Sequence, residues 1–248
     1  MEQNAFVTGG SRGIGRGIVL EYVKRGWGVA FTYNSRSDAA KETIAAARGI
    51  NPDLPVKAYP MSLLDSEVIE ATCEKVLEDF DEIDAVVNNA AVIKDNAAAL
   101  MSNEEWNEVI AANLTAPFII NRSFLMHFLS KRRGRFIQIS SLSAGGSSGQ
   151  INYASAKAGL VGLTRTLAKE YGKKGITANI VTVGFVPTGL TDDNMTSFLQ
   201  EYWVKNCPAR RVGTAEEIAA AVLFLSSDDA RFVSGENLHV SAGLTYAP

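Results

Sequence analysis

Short apolar runs of four to eight residues alternate along the chain with longer segments in which apolar positions recur every three or four residues. The first pattern suits strands buried on both faces, the second helices with one apolar stripe. Strands are predicted at Ala5–Thr8, Val29–Tyr33, Val56–Tyr59, Ala85–Asn88, Arg135–Ser140, Ile176–Val183 and Asn237–Val240. Helices are predicted at Gly15–Arg25, Asp38–Arg48, Ser66–Phe80, Glu104–Lys131 with a bend near Pro117, Tyr153–Lys173 and Ala215–Leu225. In the third of these, Val68, Ile69, Cys73, Val76 and Leu77 fall on one face and are assigned to the core.

Strands separated by helices pair in parallel through right-handed crossovers. The expected fold is therefore α/β, a doubly wound (Rossmann) seven-stranded parallel sheet with helices on both faces. No internal repeat, linker or charge block divides the 248 residues, so one domain over 1–248 is expected. The least regular stretch runs from Gly184 to Gly213, too long for a plain connection, and a substrate lid is expected around 187–212.

Composition narrows the function classes. Hydrophobic residues at 46% allow a sizeable core, and a net charge of -3 argues against nucleic-acid binding. Uninterrupted apolar runs stop short of the roughly 18 residues of a membrane span, and Met1–Asn4 lacks the layout of a signal peptide. The two cysteines, Cys73 and Cys207, have no partners at metal-ligand spacing, so neither a metal nor a disulfide framework is expected. A cytoplasmic location follows from these expectations.

Candidate chemistry begins at the first strand-to-helix turn, Thr8-Gly9-Gly10-Ser11-Arg12-Gly13-Ile14-Gly15. Glycines there let backbone approach a pyrophosphate, and the following helix offers free N–H groups and positive dipole potential. An NAD site usually carries an acidic residue after the second strand to hold the ribose 2′-hydroxyl. This chain reads Asn34-Ser35-Arg36 there, with no carboxylate until Asp38. Arg12 and Arg36 suit a 2′-phosphate through paired hydrogen bonds, so NADP(H) is the expected cofactor.

Tyr153 and Lys157 stand four apart on a predicted helix and share a face. A phenol of pKa ≈ 10 is a poor acid-base catalyst at neutral pH, and a nearby ammonium is expected to lower it. Ser140 and Ser141 end the fifth strand, at the carboxyl edge where open parallel sheets bind ligands.

With these residues in place, the chain resembles a short-chain dehydrogenase/reductase, and among these the 3-oxoacyl-(acyl-carrier-protein) reductases. The resemblance covers essentially the whole chain. It rests on TGGSRGIG, on NNAA at Asn88–Ala91, on AANLTAPF around Asn113, on FIQISS, on NYASAKAG holding Tyr153 and Lys157, and on ARRVGTAEEIAAAVLFL. It implies that Tyr153 donates a proton to a carbonyl oxygen, that the strand-end serine stabilises that oxygen, and that Lys157 holds the nicotinamide ribose. Asn113 would fix a relay water through a helix kink near Pro117. Asn89, Ala90 and Ala91 would line the adenosine ribose, Ser62 and Leu63 the adenine. Gly184, Val186 and Thr188 would meet the carboxamide and pyrophosphate.

The chain departs from that pattern in places. The family's serine lies thirteen residues before the tyrosine, whereas Ser141 lies twelve before Tyr153. Matching strand to strand selects Ser141; counting back from the tyrosine selects Ser140. Strand register is harder to shift than a Gly/Ser loop, which favours Ser141. Ala91 replaces a glycine, Val183-Gly184 replaces Pro-Gly, Ser62 replaces an aspartate that often contacts the adenine, and Ser241-Ala242-Gly243 replaces Asp-Gly-Gly.

Met195, Phe198, Leu199, Tyr202 and Trp203 form an apolar set in the expected lid, suited to core packing or to covering a hydrophobic acyl or aromatic ketone. Lys131-Arg132-Arg133 and Lys173-Lys174 close the two long helices, either as ordinary helix-end cations or, as the resemblance implies, to meet an acidic carrier protein. His127 and His239 are isolated and read as structural. The resemblance also implies a homotetramer. The leading reading is an NADPH-dependent 3-oxoacyl thioester reductase of fatty-acid or polyketide biosynthesis. An NADP-dependent alcohol or sugar dehydrogenase acting on a small free substrate, and a non-catalytic dinucleotide-binding regulator, stand beside it.

Overall fold

The computed structural model describes residues 3–187 and 197–245. Among these, seven strands form one sheet in the order β3-β2-β1-β4-β5-β6-β7, every neighbouring pair parallel. They are β1 Asn4–Val7, β2 Gly28–Tyr33, β3 Val56–Pro60, β4 Ala85–Asn88, β5 Gly134–Ser141, β6 Ile176–Val183 and β7 Asn237–Val240. The helices are α1 Gly13–Lys24, α2 Ser37–Ile50, α3 Ser66–Asp79, α4 Asn103–Ile110, α5 Ala116–Lys131, α6 Ile151–Tyr171, α7 Ser197–Asn206 and α8 Ala215–Ser226.

Strand alternation decides which core each side chain joins. Ala5 and Val7 of β1, Ala85 and Val87 of β4, and Ile137 and Ile139 of β5 face α1, α2 and α8, where Ile18, Tyr22, Ile218 and Val222 pack against them. Phe6, Val86 and Phe136 point the other way, onto Ile69, Val76, Ile120, Phe124 and Phe128 of α3 and α5. The strand order reverses at β1, whose neighbours are β2 and β4, and this opens a crevice at the carboxyl edge.

Several details differ from the sequence expectations. In α3, Ile69, Cys73 and Val76 are buried with Thr72, whereas Val68 is exposed and Leu77 only half-buried, because the helix stripe is narrower than the apolar set. The interruption expected near Pro117 takes the form of one turn of π-helix at Ala111–Thr115, in which the Ala116 N–H bonds the Ala111 carbonyl. That run, Asn103–Lys131, is long and apolar enough by composition to cross a membrane. One face of it, with Ile119, Ile120, Phe124 and Phe128, is buried against the sheet, as in a core helix, while Phe118 and Met126 are exposed. Runs of consecutive apolar residues could not reveal it, since polar residues interrupt the run on its outer face.

Candidate active site

Hydrogen bonds tie the carboxyl ends of β1 and β4 into one rim. Thr8 Oγ1 accepts the N–H groups of Asn89 and Ala90 at 2.9 and 3.0 Å, and the Asn89 side-chain amide donates back to the Thr8 carbonyl at 2.9 Å. Gly10 N–H bonds the Thr32 carbonyl at 2.9 Å, which sets the first turn against β2. The turn is built for close approach. A Cβ on Gly15 would lie 2.1 Å from the Gly9 carbonyl oxygen, and one on Gly10 2.6 Å from Phe31. Gly9 and Gly13 have φ of +69° and +54°, a region that L side chains seldom adopt. The α1 N-terminus emerges directly beyond, so its free N–H groups face the cradle. Residues and geometry here fit a dinucleotide pyrophosphate.

A cleft of about 780 Å³ runs from this turn across the sheet edge. It is lined at one end by Asn34, Ser35, Arg36, Ser62 and Leu63, and in the middle by Gly9, Ser11, Arg12, Gly13, Ile14, Gly15, Asn89, Ala90 and Ala91. Ser141, Tyr153, Lys157, Gly184 and Val186 line the other end. Arg12 and Arg36 are exposed and immediately precede α1 and α2; among the described residues neither belongs to an ion pair. Thr188 and Met195 lie outside the described residues, as do the side chains of Phe198 and Leu199. Tyr202 is exposed, while Trp203 stacks on Phe185 with ring centroids 5.3 Å apart and planes at 16°.

The two serines diverge. Ser140 is buried and its hydroxyl donates to the Lys157 carbonyl at 3.4 Å. Ser141 lies across the strand from it, where it lines the cleft with Tyr153 and its hydroxyl accepts the Ser143 N–H at 3.1 Å. Tyr153 stands at the start of α6, a position set by the neighbouring Asn152. That side chain accepts the Tyr153 N–H at 2.7 Å and donates to the Lys94 carbonyl at 3.0 Å. Lys157 Nζ donates to the Ile139 carbonyl at 2.8 Å and lies 5.5 Å from the Tyr153 ring centre.

Burial raises the Tyr153 pKa to about 12, partly offset by the nearby Ser141 hydroxyl and reinforced by the Asp95 charge. This is opposite to the expected depression by Lys157. The ammonium points to the Ile139 carbonyl rather than to the phenol, and its own pKa is lowered to about 8 by burial. Desolvation outweighs any help from the ammonium.

Asn113 does not line the cleft. It is fully buried in the π turn, where its side-chain amide donates to the carbonyls of Val92 at 2.7 Å and Val109 at 2.9 Å, and its oxygen accepts the Val92 N–H at 3.3 Å. It therefore pins the loop after β4. In an α-helix its carbonyl would be met by the N–H of residue 117, which is proline and has none.

Sequence reasoning passed over Thr8 and Asn152, which position the site, and over Asp95 and Gln150 at the cleft mouth. There the Gln150 amide donates to both Asp95 oxygens at 3.0 and 3.1 Å. The available signal was topological: the loop after β4 opens at the carboxyl edge, so its polar residues face the crevice. His127 accepts the Ile83 N–H at 3.1 Å beneath the sheet, a structural role.

The basic clusters sit at the opposite edge. Both precede strand starts, so the eight residues of β5 separate them from Ser141, roughly 26 Å of strand. Arg132 donates to the Lys173 carbonyl at 3.2 Å, which brings the clusters together, while Lys131 pairs with Glu82 and Arg133 with Asp228. Among the described residues no group of three or more metal-ligating side chains occurs.

A family model described as Enoyl-(Acyl carrier protein) reductase matches residues 9–245. The chain is 40% identical over 245 residues to the 3-oxoacyl-(acyl-carrier-protein) reductase FabG of Escherichia coli (strain K12), covering 97% of this chain and 96% of that protein. To the protein of the same name from Haemophilus influenzae it is 41% identical over 241 residues, covering 97% of each. Among solved structures, that of levodione reductase superposes with a TM-score of 0.91 at 29% identity, covering 98% of this chain and 96% of that one.

Proposed function

The chain belongs to the short-chain dehydrogenase/reductase family and is a nicotinamide-dinucleotide oxidoreductase, and on that premise we propose that it reduces a 3-oxoacyl thioester, carried on acyl carrier protein, to the 3-hydroxyacyl form. The observation that carries the proposal is the gathering of Ser141, Tyr153 and Lys157 at one end of a cleft whose other end holds Arg36. The similarity to two FabG reductases over nearly the whole chain supports the substrate class.

NADP(H) is the proposed cofactor: Arg12 and Arg36 present guanidinium forks beside Ser35, and a 2′-phosphate is a fitting partner for them. Bound along the cleft, the dinucleotide would supply a hydride to the substrate's carbonyl carbon. The protein's task is then to handle charge on the carbonyl oxygen. Tyr153, protonated throughout the physiological range, donates its phenolic proton to that oxygen as negative charge develops. Ser141 hydrogen-bonds the same oxygen and stabilises it where water is excluded. One hydride and one proton convert C=O to CH–OH and leave a phenolate. Lys157, turned from the Ile139 carbonyl toward the cleft, would stabilise that phenolate. The Asn113 carbonyl, denied its helical donor by Pro117, would hold a water that returns the proton.

A homotetramer fits the exposed apolar side chains: Phe118 and Met126 on α5, and Phe232 and Leu238 at and before β7. It also answers the placement of the basic clusters. A carrier docked on Arg132 and Lys174 cannot flank the cleft of the same subunit, so it would serve the cleft of another.

The test is NADPH consumption with a 3-oxoacyl thioester on carrier protein or on a small thiol. Turnover that is faster with the carrier supports the proposal. NADPH binding without turnover of either substrate would replace it by the small-alcohol or regulator reading.

A further inference from the structure

Behind the catalytic cleft lies a second cavity of about 300 Å³, and the two share the wall formed by Phe185 and Trp203. Apart from that wall, which Gly184 and Val186 complete, its apolar lining comes from Cys207, Ile218, Val240, Ala242 and Leu244. We propose that the Phe185–Trp203 stack is a gate that selects acyl-chain length, and that the cavity behind it receives the distal methylenes of a medium-chain acyl group when Trp203 swings aside. This deepens the reductase reading and rests on it.

Three observations place the gate there. Phe185 follows the end of β6 and is buried, so its ring is held by the sheet, whereas Trp203 belongs to α7 and is only half-buried. The movable partner is therefore the indole. Its fellow packing residues are few: Leu142, Cys207 and Leu244 form a small cluster separate from the two main cores. The cavity itself is walled in part by two glycines, Gly184 and Gly213. A Cβ on Gly184 would lie 2.8 Å from Ser241 Cα, and one on Gly213 3.0 Å from Val186 Cγ2, so its walls pack tightly at both glycines. Its polar lining comes from Arg211 and Glu217, which satisfy each other in a two-point ion pair, from His239, and from Ser241, whose hydroxyl donates to the Leu244 carbonyl at 2.6 Å. The chamber thus offers mainly apolar contact with its Arg–Glu charges paired, which suits a hydrocarbon tail better than a charged one.

The experiment compares kcat/KM for C4, C8 and C12 3-oxoacyl thioesters in the wild type, Trp203→Ala, Trp203→Phe and the double variant Trp203→Ala/Val240→Phe. Each methylene newly buried is worth about fourfold. Opening the gate is therefore expected to raise the C12:C4 ratio by at least tenfold in Trp203→Ala. Trp203→Phe, which can still stack, keeps the wild-type ratio, and filling the cavity at Val240 abolishes the gain. Equal changes at all chain lengths, or a gain that survives Val240→Phe, overturn the proposal. If the alanine variant does not fold, Trp203→Leu replaces it under the same criteria. Absence of turnover on all three thioesters in the wild type strikes the reductase reading instead; the same ratio is then read with 2-alkanones of increasing length.

Discussion

Ser141 lines the cleft beside Tyr153, while its neighbour Ser140 turns into the protein and donates to the Lys157 carbonyl at 3.4 Å. Alternation along β5 separates them: Ser140 keeps the side of Phe136 and Gln138, under the helices, and Ser141 falls opposite at the open end of the strand. The loop of nine residues between Ser141 and Ile151 absorbs the shorter spacing to the tyrosine.

The two serines are therefore expected to respond differently to removal. Ser141→Ala should lower kcat by roughly 10²–10³-fold with dinucleotide binding intact, the scale of losing one oxyanion donor. Ser140→Ala should change kcat by less than about tenfold. Tyr153→Phe should lower kcat by roughly 10²–10⁴-fold. Steady-state kinetics beside a dinucleotide-binding titration check all three, and a larger loss from Ser140→Ala would reverse the assignment.

Lys157 carries a pH signature. Its folded pKa, about 8, lies below the ordinary lysine value of 10.5, so the unfolded chain binds more protons between those pH values. Stability due to this residue therefore rises with pH across that window and is lowest below pH 8, where the buried ammonium is charged. Relative to Lys157→Met, the wild type should gain up to about 3 kcal/mol in unfolding free energy between pH 7 and pH 10.5. Denaturant titrations of both proteins at the two pH values measure this difference, in which the buried tyrosines cancel.

Cofactor choice should depend on Arg12 and Arg36. Losing a charge-assisted bond of about 1.5–3 kcal/mol corresponds to roughly 10–100-fold. Arg36→Leu is expected to raise the KM for NADPH by that factor and to leave the KM for NADH nearly unchanged. Equal effects on both would remove the 2′-phosphate from the account.

Carrier dependence should reside at the far edge of the sheet. Arg132→Glu with Lys174→Glu is expected to raise the KM for a carrier-bound substrate about tenfold or more, more strongly at low ionic strength, while small-thiol thioesters are turned over as before. Size-exclusion chromatography of the same variant shows whether the oligomer survives. A variant that remains assembled and uses the carrier normally would rule out docking at these residues.

What the sequence determined by itself was the order of strands and helices, and hence the edge of the sheet at which chemistry would gather. Four-residue apolar runs, a glycine turn and a Tyr-Lys pair one helical turn apart are local signals, legible because each depends on neighbours in the chain. What depends on distant parts of the chain was decided only by the tertiary structure. The facing of Ser141 follows from β5 lying between β4 and β6 with α6 above it. The pinning role of Asn113 depends on a loop twenty-one residues away, the carbonyl of Val92. The pKa of Tyr153 is raised because burial, which no spacing reveals, outweighs a lysine that points elsewhere. The lysines and arginines at the ends of α5 and α6 could be read as helix-end charges, but their distance from the cleft follows from where the sheet places the start of β5 and β6. Local periodicity makes elements; desolvation and long-range hydrogen bonds make the site.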